Sequence, residues 1–290
     1  MTAKELRQSL RRGSFVLPFL AIQILALAAM IVEFRTGHAA AHSEYTGMLN
    51  AWLLWNSGPF WMVVGVICMG LMPLGGLVLM GQELEEGNHE LLLLTKLNRW
   101  KIVCGKFATL WGLSLVTFIS LLPYVVVRYL VGGVEWGHEA ACAGTVLGGS
   151  AMIGAGALGA SAFRGIGARI TMLVGFLASM VAGCGVPLMA SAMQTHGCGV
   201  LYHLTALAAM ACYTLVGLAL ARSRLRLAVL AYEVKPSGML IGLLVFAPFV
   251  IGVVTAFTLG FGGILGLIVM ALVACRLDVT SRVPAVPLVY

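Results

Sequence analysis

The chain has 290 residues, of which 60% are hydrophobic and only 10% charged, where a soluble domain carries about 25% charged residues. With a mean hydropathy of +0.99, a water-soluble enzyme is excluded. At roughly 20 apolar residues per crossing, the chain holds several membrane spans and has no room for a second, soluble catalytic domain. The formal charge of +7 would suit nucleic acid in a soluble protein. In a membrane protein its distribution between loops matters more than its sum, and no nucleic-acid partner is expected.

Residues 1–14 form a short basic amphipathic segment, with Lys4, Arg7, Arg11 and Arg12 around Leu6 and Leu10. Such a segment suits an anionic lipid surface, or simply flanks the first span and fixes its orientation. The first span is expected at 15–34; it is too long for a signal-peptide core and no cleavage site follows it. A polar stretch, 35–58, leads to the second span at 60–81, and Trp52, Trp55 and Trp61 suggest an interfacial aromatic belt. After a charged block come spans at 103–128, 140–162, 170–193 and 199–221. The fourth is rich in small residues (Gly144, Gly148, Gly149, Gly154, Gly156 and Gly159), which favour close helix packing. Arg222, Arg224, Arg226 and Lys235 mark a basic loop. The apolar run 238–275 is too long for one span, and Thr258, Gly260, Gly262 and Gly263 offer a turn that splits it into 238–257 and 259–276. The expected fold is thus an all-α polytopic membrane protein of about eight transmembrane helices.

With the N-terminus inside and the spans alternating, 16 of the 18 Lys and Arg residues and seven of the 11 acids fall on the inner face. That face carries +9 and the outer face −2, a strong positive-inside bias that places both termini in the cytoplasm. No Asp, Glu, Lys or Arg lies near the middle of a span; Glu33, Arg128 and Glu139 fall near outer ends and Lys106 near an inner end. Ion-driven transporters place ionisable groups at mid-membrane, so any work done here is expected to be powered from elsewhere. Seven cysteines occur without a Cys-x-x-Cys pair, mostly in apolar runs, and read as small buried hydrophobes.

The block 82–106 holds eight of the 29 charges. Glu83, Glu85, Glu86 and Glu90 come first; Lys96, Arg99 and Lys101 come later, an order that suits a helix dipole. Between them stands the apolar run Leu91 to Leu94, which needs burial against the membrane or a partner. This block resembles the loop after the second span of type-2 ATP-binding-cassette (ABC) permeases, the exporter class. That pattern runs Glu, two residues, Glu-Gly-Thr, one residue, Glu-Leu-Leu, then Thr-Pro, Ser-Arg and, further on, Gly-Lys. Glu83, Glu86, Gly87, Glu90, Leu91, Leu92, Thr95, Arg99, Gly105 and Lys106 fall at matching positions; Asn88, Lys96 and Asn98 depart from it.

The resemblance implies a six-span permease core over 15–221, a coupling loop at 82–102 that docks on a separate cytoplasmic ABC ATPase, and a second permease copy or related subunit. Residues 222–290, a basic loop with a two-span hairpin and tail, go beyond the usual six spans. The chain itself is expected not to be an enzyme and to carry no cofactor or metal. Gly105-Lys106 is followed by Phe107, and position 100 is Trp, so no phosphate-binding loop is formed; ATP would be bound by the partner. The expected setting is a cell membrane, the inner membrane if the cell is bacterial. Two alternatives stand beside this reading. One is an intramembrane protease using Ser161 or His89, although His89-Glu90 lacks the second histidine at Leu93 and the residue after Ser161 is Ala162. The other is a non-transporting scaffold. The pair His38 and His42 has metal-ligand spacing but no evident third ligand.

Overall fold

The computed structural model describes residues 13–36, 48–79, 99–132, 135–163, 165–194, 199–229, 238–258 and 260–277. Every regular element among them is a helix. In chain order these are α1 (Gly13–Thr36), α2 (Ala51–Asn56), α3 (Pro59–Leu74), α4 (Gly76–Leu79), α5 (Arg99–Gly132), α6 (Trp136–Ser161), α7 (Ile166–Gln194), α8 (Val200–Val229), α9 (Gly238–Phe257) and α10 (Phe261–Leu277). Six of them, α1 and α5 to α9, are long and apolar enough to cross a membrane, and α3 and α10 are shorter apolar helices. The chain is a multi-pass membrane protein.

The helices alternate in direction. Glu33 late in α1, Arg128 late in α5 and Glu139 early in α6 meet at one end of the bundle, called here the clamp end. Asn50 and Tyr202 bond at 2.9 Å and bring the start of α8 to that end.

The helices α6 and α8 form the centre. Without a hydrophobic force between helices in lipid, association depends on close packing, which small residues permit. A methyl added at Gly217 of α8 would stand 2.6 Å from the Ala155 carbonyl carbon and 2.8 Å from Gly156 N, so the two backbones nearly touch. Gly159 returns the contact, a methyl there lying 2.8 Å from Gly217 O. One apolar core joins α1, α2, α3, α5 and the start of α6, through Ile22, Leu53, Trp61, Phe118 and Cys142. A second joins α7, α8, α9 and α10, through Phe176, Tyr213, Leu244 and Leu267, and a smaller one joins α5, α6 and α8 through Val103, Leu158 and Leu218.

Two details refine the sequence expectation. The expected split of the last apolar run is present: α9 ends at Phe257, Gly260 adopts φ +102°, and Thr258 Oγ accepts from Gly262 N at 2.9 Å to start α10. The second expected span is not one continuous α-helix. Residues Val66–Leu71 within α3 form a π-helical turn, with Met72 N donating to Ile67 O, and the helix breaks at Gly75. Pro73 explains part of this, because it has no N–H for the residue-69 carbonyl and its ring crowds the preceding turn.

Candidate functional site

Most of the candidate coupling residues, Glu83, Glu86, Gly87, Glu90, Leu91, Leu92 and Thr95, lie outside the described residues, as does the pair His38 and His42. The flanks of that segment are described. It leaves α4 after Leu79 and returns at Arg99, the first residue of α5. Gly105 and Lys106 are helical residues in the second turn of α5, and Gly105 O accepts from Thr109 Oγ at 3.0 Å. At this end of the bundle Arg222 of α8 lies over the Trp100 ring, 5.4 Å from its centroid. The contact is a cation–π pair that ties the start of α5 to α8.

Polar side chains within the apolar helices are engaged in helix pairing. Gln23 donates to Ser120 Oγ at 2.7 Å, joining α1 to α5. Trp111 donates to Ser150 Oγ at 3.2 Å, joining α5 to α6, and stacks on Phe107. The Gly-rich face of α6 is filled from both sides, Gly149 by Met69 of α3 and Gly148 by Met210 of α8. Ser161 is fully buried at the end of α6 and donates to Leu158 O at 2.7 Å, within its own helix.

The strongest polar constellation lies at the clamp end. Arg128 is 1% exposed and stands between two carboxylates that are equally buried. It donates from Nε to Glu33 Oε1 at 2.9 Å, from Nη2 to the same oxygen and to the Ser57 carbonyl at 2.8 Å, and from Nη1 to Glu139 Oε1. The remaining carboxylate oxygens are also satisfied: Glu33 Oε2 by Phe60 N at 3.2 Å and Glu139 Oε2 by Trp61 Nε1 at 3.0 Å. The guanidinium also lies over the Phe60 ring at 5.4 Å.

Local structure places these groups. Asn50 caps α2 by accepting from Leu53 N at 2.8 Å, and Leu53 and Leu54 bury the short helix beside the bundle. Ser57 Oγ donates to Leu53 O and lies 3.2 Å from Cys142 Sγ. Gly58 then turns the chain with φ +105°, and a methyl there would stand 2.9 Å from Glu33 Cδ. Glycine therefore serves twice, for its backbone angle and for the space the carboxylate occupies. Pro59 opens α3 at a position where its missing N–H costs nothing.

Sequence reasoning placed Glu33, Arg128 and Glu139 at span ends one by one and did not join them. The signal was present: Arg128 is a cation inside an apolar run, and a buried cation requires acidic partners. Trp61, expected in an aromatic belt, is instead fully buried as a donor to Glu139, whereas Trp52 and Trp55 are exposed.

Beside the clamp, Leu49, Glu135, His138, Ala141 and His203 line an open recess of about 420 Å³. His138 Nδ1 is buried there without a hydrogen-bond partner. Among the described residues no group of three or more His, Cys, Asp or Glu side chains is arranged to hold a metal, and the described cysteines are free thiols. Compared with known proteins, the chain matches no family model, no curated protein and no solved structure.

Proposed function

We propose that this protein is the membrane-spanning permease subunit of an ABC exporter. In this reading α1, α3 and α5 to α10 give eight passes with both termini cytoplasmic, in a cell membrane and, in bacteria, the inner membrane. The observation that carries it is the spacing of Glu83, Glu86, Gly87, Glu90, Leu91, Leu92, Thr95, Arg99, Gly105 and Lys106. The segment that holds Glu83 to Thr95 joins α3 and α4 to α5, which begins at Arg99, and these helices pack on the central α6. A partner that displaces the segment therefore acts on the middle of the bundle. The partner is a cytoplasmic ABC ATPase that binds ATP, and a second permease copy or related subunit completes the pathway, with lipid around it. Leucines filling a groove and charges setting register are the chemistry of such a contact.

The test is copurification. The full chain should recover a cytoplasmic ABC ATPase, and Leu91→Asp with Leu92→Asp should weaken that association by about 100-fold while insertion into the membrane is kept. Failure to recover an ATPase, or normal binding by the double variant, sinks the coupling reading. The protease alternative fares poorly on geometry. The Ser161 hydroxyl donates to Leu158 O at the end of α6 away from the clamp, while His203, the one histidine in a later span that such a serine would use as its base, lies near the start of α8 at the clamp end. Replacing Ser161 or His89 by Ala is expected to remove no cleavage activity.

A further inference from the structure

The recess beside the clamp holds chemistry that the helix packing does not use. Its walls are fixed from two sides. Asn50, next to the lining residue Leu49, donates to the Tyr202 hydroxyl at 2.9 Å, and the Tyr202 ring stands edge-on to that of His203. A methyl added at Gly137 would meet nothing within 4 Å, so the space is open along the start of α6. At about 420 Å³ it admits a small organic group.

His138 is 7% exposed, yet its Nδ1 has no hydrogen-bond partner. A buried polar atom left without a partner is costly and calls for an occupant that supplies one. An imidazole nitrogen offers either a lone pair or an N–H, and the charges nearby decide which is used. Among the described residues of the clamp end, the acids Glu33, Glu135 and Glu139 stand against the bases Arg35 and Arg128. Glu33, Glu139 and Arg128 are committed to one another. Glu135 is not part of that network: it is exposed, lines the recess, and stands at the N-cap of α6 without a side-chain cap bond. An anion in the recess would face this carboxylate, whereas a cation is attracted to it. A cation carrying N–H groups can donate to the His138 lone pair and to Glu135 together. A metal ion fits less well, since Glu135, His138 and His203 are not arranged as a ligand group.

We propose that the recess binds a protonated primary amine, whose N–H groups donate to His138 Nδ1 and to the Glu135 carboxylate. A quaternary ammonium group has no N–H and is rejected by the same chemistry. Two sources carry such an amine: the headgroup of an ethanolamine lipid and a free amine in solution. The site depends on neither an ATPase nor a direction of transport, and so goes beyond the proposed function.

Nitrogen NMR of the full chain, made with isotope-labelled histidine, tests it. In phosphatidylcholine nanodiscs, which hold no N–H amine, ethylammonium chloride should shift one histidine ring-nitrogen signal saturably. Tetramethylammonium chloride at the same concentration should not. The responding signal should be the one lost in His138→Asn. Glu135→Gln, at an exposed position, should weaken the ethylammonium response by about 10-fold or more. A signal already shifted in phosphatidylethanolamine nanodiscs without added amine upholds the proposal with the lipid headgroup as the source. A signal that moves only with ethylammonium upholds it with a free amine as the source. No response in either lipid, an equal response to tetramethylammonium, or an unchanged response in Glu135→Gln overturns it. If His138→Asn does not fold, the comparison with Glu135→Gln decides alone.

Discussion

Arg128 meets two buried carboxylates with one guanidinium, and every carboxylate oxygen of Glu33 and Glu139 accepts a hydrogen bond. That complete satisfaction is what makes ionised groups tolerable at a site 1% exposed. Removing one member is far worse than removing all. Arg128→Met leaves two unpaired buried carboxylates and is expected to cost about 3–5 kcal/mol, read as a large fall in the unfolding midpoint of the purified protein in lipid nanodiscs. Adding Glu33→Gln and Glu139→Gln to it should recover most of the loss. A triple variant as unstable as Arg128→Met alone would show that the guanidinium acts through packing rather than charge. The location of the three residues near span ends was legible in the sequence. Their convergence was not, because hydropathy marks where a helix lies and carries no information on which helices are neighbours. Trp61 was misplaced for the same reason: an indole near a span end looks interfacial until its acceptor is known.

The helix pair α6 and α8 depends on what glycine lacks. Gly144, Gly148, Gly149, Gly154, Gly156 and Gly159 of α6 announced close packing in the sequence, and the structure supplies their partners, including Met69, Met210 and Phe176. Gly217, the residue that brings α8 to the α6 backbone, was not singled out, since one glycine in an apolar run has no signature of its own. Gly217→Val places side-chain atoms where the Ala155 and Gly156 backbone stands. The variant should be destabilised by about 3 kcal/mol or more, since backbone cannot repack as side chains do. Gly175→Val, on α7 with open space around it, is the matched control and should unfold close to the parent. Thermal unfolding of the two variants side by side checks this, and equal midpoints would refute the tight α6–α8 contact. The helix boundaries of α5 to α9 were readable to within about four residues because long apolar runs dominate them, except the end of α8: Arg222, Arg224 and Arg226, expected in a loop, continue the helix to Val229. The π turn was not, because Pro73 signals a disturbance without specifying its form.

At the scale of the whole molecule, helices α1 and α5 to α9 present apolar side chains outward, among them Leu130, Met193, Phe249 and Phe257, as expected where lipid is the solvent. The alternation of the helices fixes which ends lie together, and the charge bias supports the proposal that the end opposite the clamp faces the cytoplasm. Tags on the N- and C-termini should both be reached only from the cytoplasmic face, and a label at Gly137, near the clamp, only from the opposite face. Termini found on opposite sides would require an odd number of passes. The candidate coupling segment was readable only as a pattern of residue types, because in the proposed reading its chemistry is completed by a surface belonging to another chain. The clamp also bears on how the protein is made. Glu33 leaves the ribosome 95 residues ahead of Arg128, an interval of about 5–20 s at 5–20 residues per second. Throughout that time Glu33 lacks the Arg128 guanidinium that satisfies it in the folded bundle, and an acid so left favours the water interface. The final depth of α1 in the bilayer is therefore set only when the fifth helix arrives, and Glu139 follows 11 residues later to close the triad. Assembly of the first half of this protein is timed by its last-made cation.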